Sequence, residues 1–599
     1  MTASSPFVRR IAACSDRLVL DRTRPFVLLD DARADGAAHA RLYRDPVEQV
    51  VAQDRAALPE AFAALRAARA RGLHAAGWIA YDAGAPGEKG PAAPVNSPLL
   101  WFGLFERYDE IAPADVSAWL PDPAGAWAGT PVPTIERAAY DAAFDRVKAY
   151  IAAGDIYQAN LTFPADVLIA GDPLALYARI RARAAAGWGG IVADGSRVLL
   201  SFSPEMFFRL DGRRIAARPM KGTATRGVDP VADAEAAREL ATDPKQRAEN
   251  LMIVDLIRND LSRIAVPGSV AVPALFEVET YPTIHQMTST VTAEITPGGD
   301  AVSVLEAAFP CGSITGAPKL RAMEIAAEVE PGPRGLYTGA IGRIDAIGDA
   351  AFNVAIRTLV VEQGQDVARI GLGSGVVADS DVSAEWRECL AKGAFVSAAC
   401  PPFDLIETMA FDPHDGLIDL DRHLARMKRS AEALGFAFDR HDVRNDLQAA
   451  TFRLREGARV RLRLARSGCT AIEVRPLPDA LAAPVVAPVV PLPVDPADFR
   501  LVHKTSDRGF YDAARGGQFE VLFARPDGLL TEGSFTSLFV ERDGRLLTPP
   551  LVRGLLPGIL RERLLQQGRA IEADLREADL RDGFLLGNAL RGLIPARLP

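Results

Sequence analysis

The pattern of this chain breaks and restarts at Cys400-Pro401-Pro402, and that break limits what its 599 residues can build. Two adjacent prolines after a cysteine end any helix or central strand, because each fixes its φ and removes a backbone donor. Ahead of the break, strand-like and helical runs alternate. Behind it, Phe403-Asp404-Leu405-Ile406-Glu407-Thr408-Met409 starts a new strand-like run. A single core does not grow to this length, and size alone allows roughly three or four domain-sized units.

Composition narrows the class. With 49% apolar and 24% charged residues the chain reads as globular with large cores. The net charge of -9 and the absence of any Lys/Arg block exclude a nucleic-acid binder. Cys14, Cys311, Cys389, Cys400 and Cys469 are odd in number with no C-x-x-C pair, so thiols in a reducing cytosol are expected. The first residues, MTASSPFVRRIAACS, lack the apolar core of a signal peptide. The apolar tract Ala480 to Val494 is too short and too proline-rich to span a bilayer. A cytoplasmic location without membrane contact is expected.

In residues 1–135, Phe26-Val27-Leu28-Leu29 and Gly77-Trp78-Ile79-Ala80-Tyr81 read as strands and Leu58 to Arg71 as a helix. The Gly/Pro-rich stretches Ala83 to Pro98 and Pro121 to Pro133 read as loops, and this part as scaffold. A helix is expected from Arg137 to Ala153, stopped at Gly154. Asp155 to Phe163 and Val198 to Phe202 read as strands, the second leading into Ser203-Pro204-Glu205. Arg213 to Arg218 is a short strand. Pro219 and Gly222 break any regular element after it, so Lys221 projects from a strand-to-loop edge. Taken alone, Lys221 reads first as a solvated surface charge, and Glu205 as a plain surface acid.

Asp243-Pro244 opens a helix with an N-cap and a proline at the first helical position. Glu249, Met252, Ile253, Leu256 and Ile257 share a face of it, which puts a carboxylate on an apolar stripe. On a second helix Glu385, Glu388 and Lys392 share a face. Two helices each offering an inward Glu suit Mg²⁺, while salt bridges within each helix are the competing reading. Gly312 to Lys319 leads into a helix whose first N–H groups can hold an anion. Gly371-Leu372-Gly373-Ser374-Gly375 lets backbone approach a ligand and lacks the dinucleotide fingerprint.

These segments, spread in order from Ile135 to Phe395, resemble the chorismate-utilising enzymes. They are Asp155 to Leu161, Ser203-Pro204-Glu205, Glu249 to Asp260, Gly312 to Lys319, Gly371 to Asp381 and Glu385-Trp386-Arg387-Glu388. The resemblance implies an α/β (α+β) fold, two antiparallel sheets in a sandwich with outer helices. Residues 1–135 would be its N-terminal part and 136–398 its catalytic part. Isochorismate-type members carry a lysine base where Gln158 stands here. Anthranilate synthases carry alanine where Lys221 stands, and Pro-x-Lys-Gly-Thr resembles the aminodeoxychorismate synthases instead. The resemblance therefore implies Lys221 as covalent nucleophile and Glu205 as general acid. It implies Glu249 and Glu388, with Glu385 near, as Mg²⁺ ligands, and His285, Thr315, Tyr337, Arg357, Gly373, Gly375 and Lys392 as substrate contacts. Ammonia would come from a glutamine amidotransferase subunit, since no Gly-x-Cys-x-Gly segment occurs in this sequence.

Residues 399–599 divide into 403–475, a Pro/Ala/Val linker 476–496, and 497–599. Asp421 to Met427 opens an amphipathic helix ending near Gly435, and Arg459 to Ala465 alternates as a half-exposed strand. His503-Lys504-Thr505, Leu530-Thr531-Glu532-Gly533-Ser534 and Val552 to Ile559 resemble the fold-type IV pyridoxal-phosphate enzymes, which have two subdomains. That resemblance implies Lys504 as the lysine that bonds the cofactor and Glu532 as partner of its ring nitrogen. Arg422, Gly558 and Ile559 would hold its phosphate. Phe535-Thr536-Ser537 and Leu560 depart from the family's usual residues. Paired with the first part, a lyase is implied, giving bifunctional p-aminobenzoate synthesis for folate from chorismate with Mg²⁺ and pyridoxal phosphate. A homodimer through this domain stays open, as do two alternatives: a non-catalytic scaffold tail, and an anthranilate synthase-type enzyme.

Overall fold

The computed structural model describes residues 8–10, 20–84, 97–281, 284–479, 481 and 484–599. Cys14 and most of the Ala83 to Pro98 loop lie outside them. The chain forms two compact units. One comprises Met1–Leu120, Thr130–Val167 and Tyr177–Ala399, the other Pro121–Gly129, Leu168–Leu176 and Cys400–Pro599. The second unit thus takes up two short segments that local pattern assigns to the first. Trp127 shows the reason: it is buried, its ring meets Phe403 edge-on at 6.3 Å, and the Arg466 guanidinium lies 4.7 Å above it.

The first unit holds two large sheets. Among the described residues one has twelve strands, with Phe26–Asp30, Trp188–Ala193, Arg197–Ser203, Thr358–Glu362, Val367–Val376 and Gln158–Ala170 adjacent in that order. The other has ten. Its order runs from Met220–Thr225 through Ile284–Glu294, Arg214–Arg218, Met206–Asp211, Ala350–Asn353 and Ala340–Ile344 to His74–Ile79, Leu100–Phe105 and Glu48–Ala52. Strands from both sides of residue 135 share each sheet, so no core boundary falls there. Phe352 stacks on Phe208 at 5.1 Å and meets Phe102 at 6.2 Å, all three fully buried. Each such ring contributes about 1.5–3 kcal/mol by leaving water.

Local chemistry sets the helix ends. The helix Arg137–Ala153 stops at Gly154, whose φ of 84° is the left-handed cap that glycine adopts without strain. Asp243 caps the helix Pro244–Ser262 by accepting from Gln246 N at 2.8 Å. The buried face of that helix is turned from the expected stripe: Asn250, Ile253, Val254, Ile257 and Leu261 are buried, while Glu249 is half-buried.

In the second unit a four-stranded sheet, ordered Gly416–Leu417, Leu405–Asp412, Ala458–Leu464 and Thr470–Pro476, packs against the helix Leu420–Leu434. A nine-stranded sheet completes the unit. Two short stretches of the expected linker 476–496 belong to it. Val485–Val486 pairs with Ala596 and Arg597, and Val489–Pro491 with Leu522 to Ala524. β-branched valines enter the sheet, and the prolines fall at strand ends. No helix of the described residues is long and apolar enough to cross a membrane.

Candidate active sites

Lys221 sits inside a strand, not at its edge. Met220 pairs with Thr288, but Thr223 pairs with Gln286, so the Lys221 strand carries one extra residue. Gly222 makes this bulge possible with a φ of +90°. A bulge re-aims side chains, and Lys221 Nζ ends against Gly375. A methyl group on that glycine would stand 3.0 Å from Nζ and 2.8 Å from Gln158 Nε2. Among the described residues Nζ makes no hydrogen bond or ion pair. Desolvation, then the like charge of Lys392, holds its ammonium below the usual lysine range. Asn250 reaches the Lys221 carbonyl at 3.4 Å and accepts from Ser289 Oγ at 2.5 Å, fixing the bulge from the helix side.

Glu205 is buried in the turn after Arg197–Ser203 and accepts from Ser313 Oγ at 2.6 Å. Burial pushes its carboxyl up to about 7, against the Ser313 bond and the Lys221 charge. The Gly312 to Lys319 loop therefore acts through Ser313, a side chain that its sequence pattern does not single out. Thr315 is buried and spends its hydroxyl on Gly312 O at 3.1 Å.

Glu249 is half-buried, and desolvation raises its carboxyl against the charges of Lys221 and Lys245, with Asp379 and Glu385 adding a smaller like charge. Glu385 accepts from Ser380 at 2.7 Å. Glu388 is exposed and pairs with Lys392 at 2.7 Å, whose Nζ also donates to Gly373 O at 3.0 Å. Among the described residues no three His, Cys, Asp or Glu side chains form a metal-binding group. A closed protein cage is absent there, whereas Mg²⁺ typically takes only one or two carboxylates.

Arg357 has a φ of +51°, in the left-handed region that non-glycine residues avoid. Its guanidinium is lowered by burial and has no hydrogen bond or ion pair among the described residues. That is a cation in want of an anion. The glycines of Val367–Val376 admit close neighbours: a methyl on Gly371 would strike the Tyr337 ring, and one on Gly373 would stand 2.7 Å from Thr162 Cγ2. The Tyr337 phenol is raised by burial. His285 differs from expectation. Both ring nitrogens are taken, by Asp233 at 2.9 Å and Thr280 at 3.1 Å, so it braces the strand beside Lys221 without a free ring nitrogen.

The second unit has a cavity of about 370 Å³ lined by Lys504, Glu532, Arg426, Gly558, Ile559 and Ser537, among others. The Lys504 carbonyl accepts from Ile406 N at 2.9 Å, but its Nζ has no hydrogen bond or ion pair among the described residues, and desolvation lowers its ammonium to about 7. Glu532 is buried and pushed up to about 7, chiefly by desolvation; Tyr511 Oη donates to it at 2.8 Å. Gly558 opens the helix Ile559–Gln566, and a Cβ there would stand 2.5 Å from Ser537 Oγ. Arg422 is a correction: it does not line the cavity but pairs with Gln566 and, at 3.6 Å, with Asp419. One helical turn on, Arg426 lines it and pairs with the buried Glu407 at 2.6 Å. Glu520, absent from the residues expected to matter, is fully buried and gathers Ser534 N, Ser534 Oγ, Phe535 N and Thr536 Oγ1. A lone acid inside the apolar run Phe519 to Phe523 was the available clue.

Two large sheets that hold a buried acid and a desolvated lysine, and a second unit whose cavity is lined by a lysine and a buried glutamate, give the chain two candidate sites. The family model of chorismate binding enzymes matches residues 24–398, and that of class IV amino-transferases residues 404–598. The chain belongs to the chorismate binding enzyme family. Aminodeoxychorismate synthase component 1 of Salmonella typhimurium is 44% identical over 256 residues, 43% of this chain and 56% of the relative. Anthranilate synthase component 1 of Streptomyces coelicolor is 42% identical over 248 residues, 41% of this chain and 48% of the relative. The chain spans about half the length of these curated relatives. The solved anthranilate synthase component I from Streptococcus pneumoniae TIGR4 is 22% identical with a TM-score of 0.52, covering 64% of this chain and 95% of that one. The first unit has that fold.

Proposed function

We propose that the chain makes p-aminobenzoate from chorismate, by amination in the first unit and pyruvate elimination in the second, for folate synthesis in the cytoplasm. The observation that carries this is Lys221: an unpaired amine held below the usual lysine range, electrostatically coupled to an acid near 7. Neutral Lys221 adds at C2 of chorismate, the two ring double bonds shift, and the C4–O bond breaks. Glu205 gives its proton to the departing hydroxyl, which leaves as water. Ammonia then adds at C4, the double bonds shift back, and the Lys221–C2 bond breaks. Two displacements preserve the configuration at C4. Arg357 and Lys392 take the carboxylates of this dianion, with Tyr337, Gly373 and Gly375 shaping the floor. Gln158, an amide, cannot serve as a base toward water.

Glu249 with Glu385 or Glu388 would hold Mg²⁺, which supplies charge stabilisation at the ring carboxylate. Glu249 already feels the charges of Lys221 and Lys245 more strongly than those of Asp379 and Glu385, so the support for a cation there is the chemistry of the carboxylate donors alone. The name component 1 of the relatives supports a second component; we propose a glutamine amidotransferase subunit that delivers ammonia.

In the second unit the class IV match supports pyridoxal phosphate, which when bound supplies an electron sink. The residues fit it: Lys504 is unpaired and readily neutral, and Glu532 stands ready to face a ring nitrogen. Arg426, with the backbone of Gly558 and Ile559, would take the phosphate. Lys504 would then move the proton from substrate C4 as pyruvate leaves. A homodimer through this unit is part of the same proposal, to be read from the mass of the chain in solution.

The test is product identity. The purified chain is given chorismate, Mg²⁺, pyridoxal phosphate and ammonium, and the mixture is analysed by mass spectrometry. p-Aminobenzoate with pyruvate supports both units as assigned. Accumulating aminodeoxychorismate would make the second unit a passenger, and anthranilate would overturn the role of Lys221.

A further inference from the structure

The strand Ala458–Leu464 carries arginine at every second position, Arg459, Arg461 and Arg463. Arg459 and Arg461 line the cavity together with Arg426, Arg508 and Arg515, against only Asp512 and Glu532 as lining acids. Some of this charge is answered inside the protein: Arg426 pairs with Glu407 and Arg515 with Asp512, while Arg459 reaches Glu473 only at 3.9 Å. Arg461 has no ion pair among the described residues, and its Nε is buried without a hydrogen-bond partner. Arg508 donates Nη2 to Ser534 O at 3.1 Å and stacks 4.4 Å over Tyr511, yet its Nη1 is also buried and unpartnered.

A desolvated guanidinium without an acceptor is costly, and a ligand that brings acceptors removes that cost. A cofactor phosphate held by Arg426 and the helix start leaves Arg461 and Arg508 unused. We infer that Arg461 and Arg508 form a carboxylate subsite, which selects an amine substrate bearing two carboxylates over one bearing a single carboxylate. The inference rests on the reading that the cavity acts on an amine through Lys504. Arginine suits the task because its planar fork meets a carboxylate through two donors at once.

The test uses the full chain loaded with pyridoxal phosphate and two inert probes, 3-(carboxymethoxy)benzoate with two carboxylates and 3-methoxybenzoate with one. Binding is read from the change in absorbance of the bound cofactor, which isolates the second unit from the first. The wild type is expected to prefer the dicarboxylate, and Arg461→Met to lose that preference by at least about tenfold, the worth of one charge-assisted hydrogen bond. Arg461→Lys and Arg508→Lys, which keep the charge but lose the fork, should recover part of it, and they carry the test where the methionine variant does not fold. No preference in the wild type, or equal weakening of both probes in the variants, would overturn the subsite. A chain that prefers the dicarboxylate but releases no pyruvate from aminodeoxychorismate keeps the subsite and loses the proposed reaction. One that releases pyruvate without the preference does the reverse.

Discussion

Ser313 Oγ donates to Glu205 Oε1 at 2.6 Å, tying a glycine-rich loop to a buried acid. The bond favours the ionised carboxylate, whereas burial favours the neutral one and prevails, leaving Glu205 near 7. An acid that must give up a proton loses activity as pH rises through its pKa. The amination kcat/KM is therefore expected to fall above about pH 7. Ser313→Ala removes a donor to the charged form and should move that limb up by about one unit. A limb that stays in place in the variant would remove Glu205 from the proton transfer.

Lys221 is expected to carry the substrate covalently. Lys221→Ala should slow amination by more than about a hundredfold, the usual scale for one catalytic group. Without ammonium, rapid quenching of the wild type with chorismate should give a chain heavier by chorismate less water, and the variant should show no adduct. An adduct on Lys221→Ala would place the nucleophile elsewhere.

How legible these sites were depends on distance along the chain. The Asp243 cap, the Gly154 stop and the helix ending at Gly435 are set within a few residues, and the structure has them where local chemistry puts them. Lys221, Glu205, Lys504 and Glu532 were readable as residue types in ordered segments. Their environments were not. The donor to Glu205 lies 108 residues away, and the Lys221 bulge exists only in register with the strand Ile284–Glu294. The Arg422–Arg426 choice turns on which face of one helix looks into the cavity, and the buried set His423, Arg426 and Met427 decides it only after packing. The valines of 476–496 pair with strands more than a hundred residues on and with nearer ones, which no local pattern shows.

For the cofactor phosphate, Arg426 and Arg422 give opposite expectations. Arg426→Met should weaken retention of pyridoxal phosphate through gel filtration by about tenfold or more, as a lost charge-assisted contact does. Arg422→Ala should retain it as the wild type does. Equal retention by both variants would refute the assignment to Arg426.

Lys504 makes the cofactor-free chain pH-sensitive. Folding lowers its ammonium to about 7, so between about 7 and the ordinary lysine range the unfolded chain holds a proton that the folded one does not. The penalty is complete below about 7 and fades as pH rises toward 10. The melting transition of the second unit should therefore climb over that interval, and Lys504→Met should flatten the climb. A variant with the same slope as the wild type would show that Lys504 is not desolvated.

Glu520 gathers four donors from Ser534, Phe535 and Thr536, in the turn just after Glu532, and a fifth from Val521 N. A Cβ on Gly533 would come 2.7 Å from its carboxylate, so glycine is what lets the turn close over the acid. Glu520→Ala leaves several buried donors unanswered, and the second unit should lose on the order of 3 kcal/mol. Glu520→Gln keeps one oxygen and brings its own donors, so it should fall between. Urea unfolding monitored by tryptophan fluorescence and circular dichroism reads the loss as a lower midpoint with the slope unchanged. Because Glu532 immediately precedes this turn, Glu520→Ala should also release pyridoxal phosphate more readily at urea concentrations where the wild type holds it. A variant with wild-type midpoint and retention would show that the turn stands without the clamp.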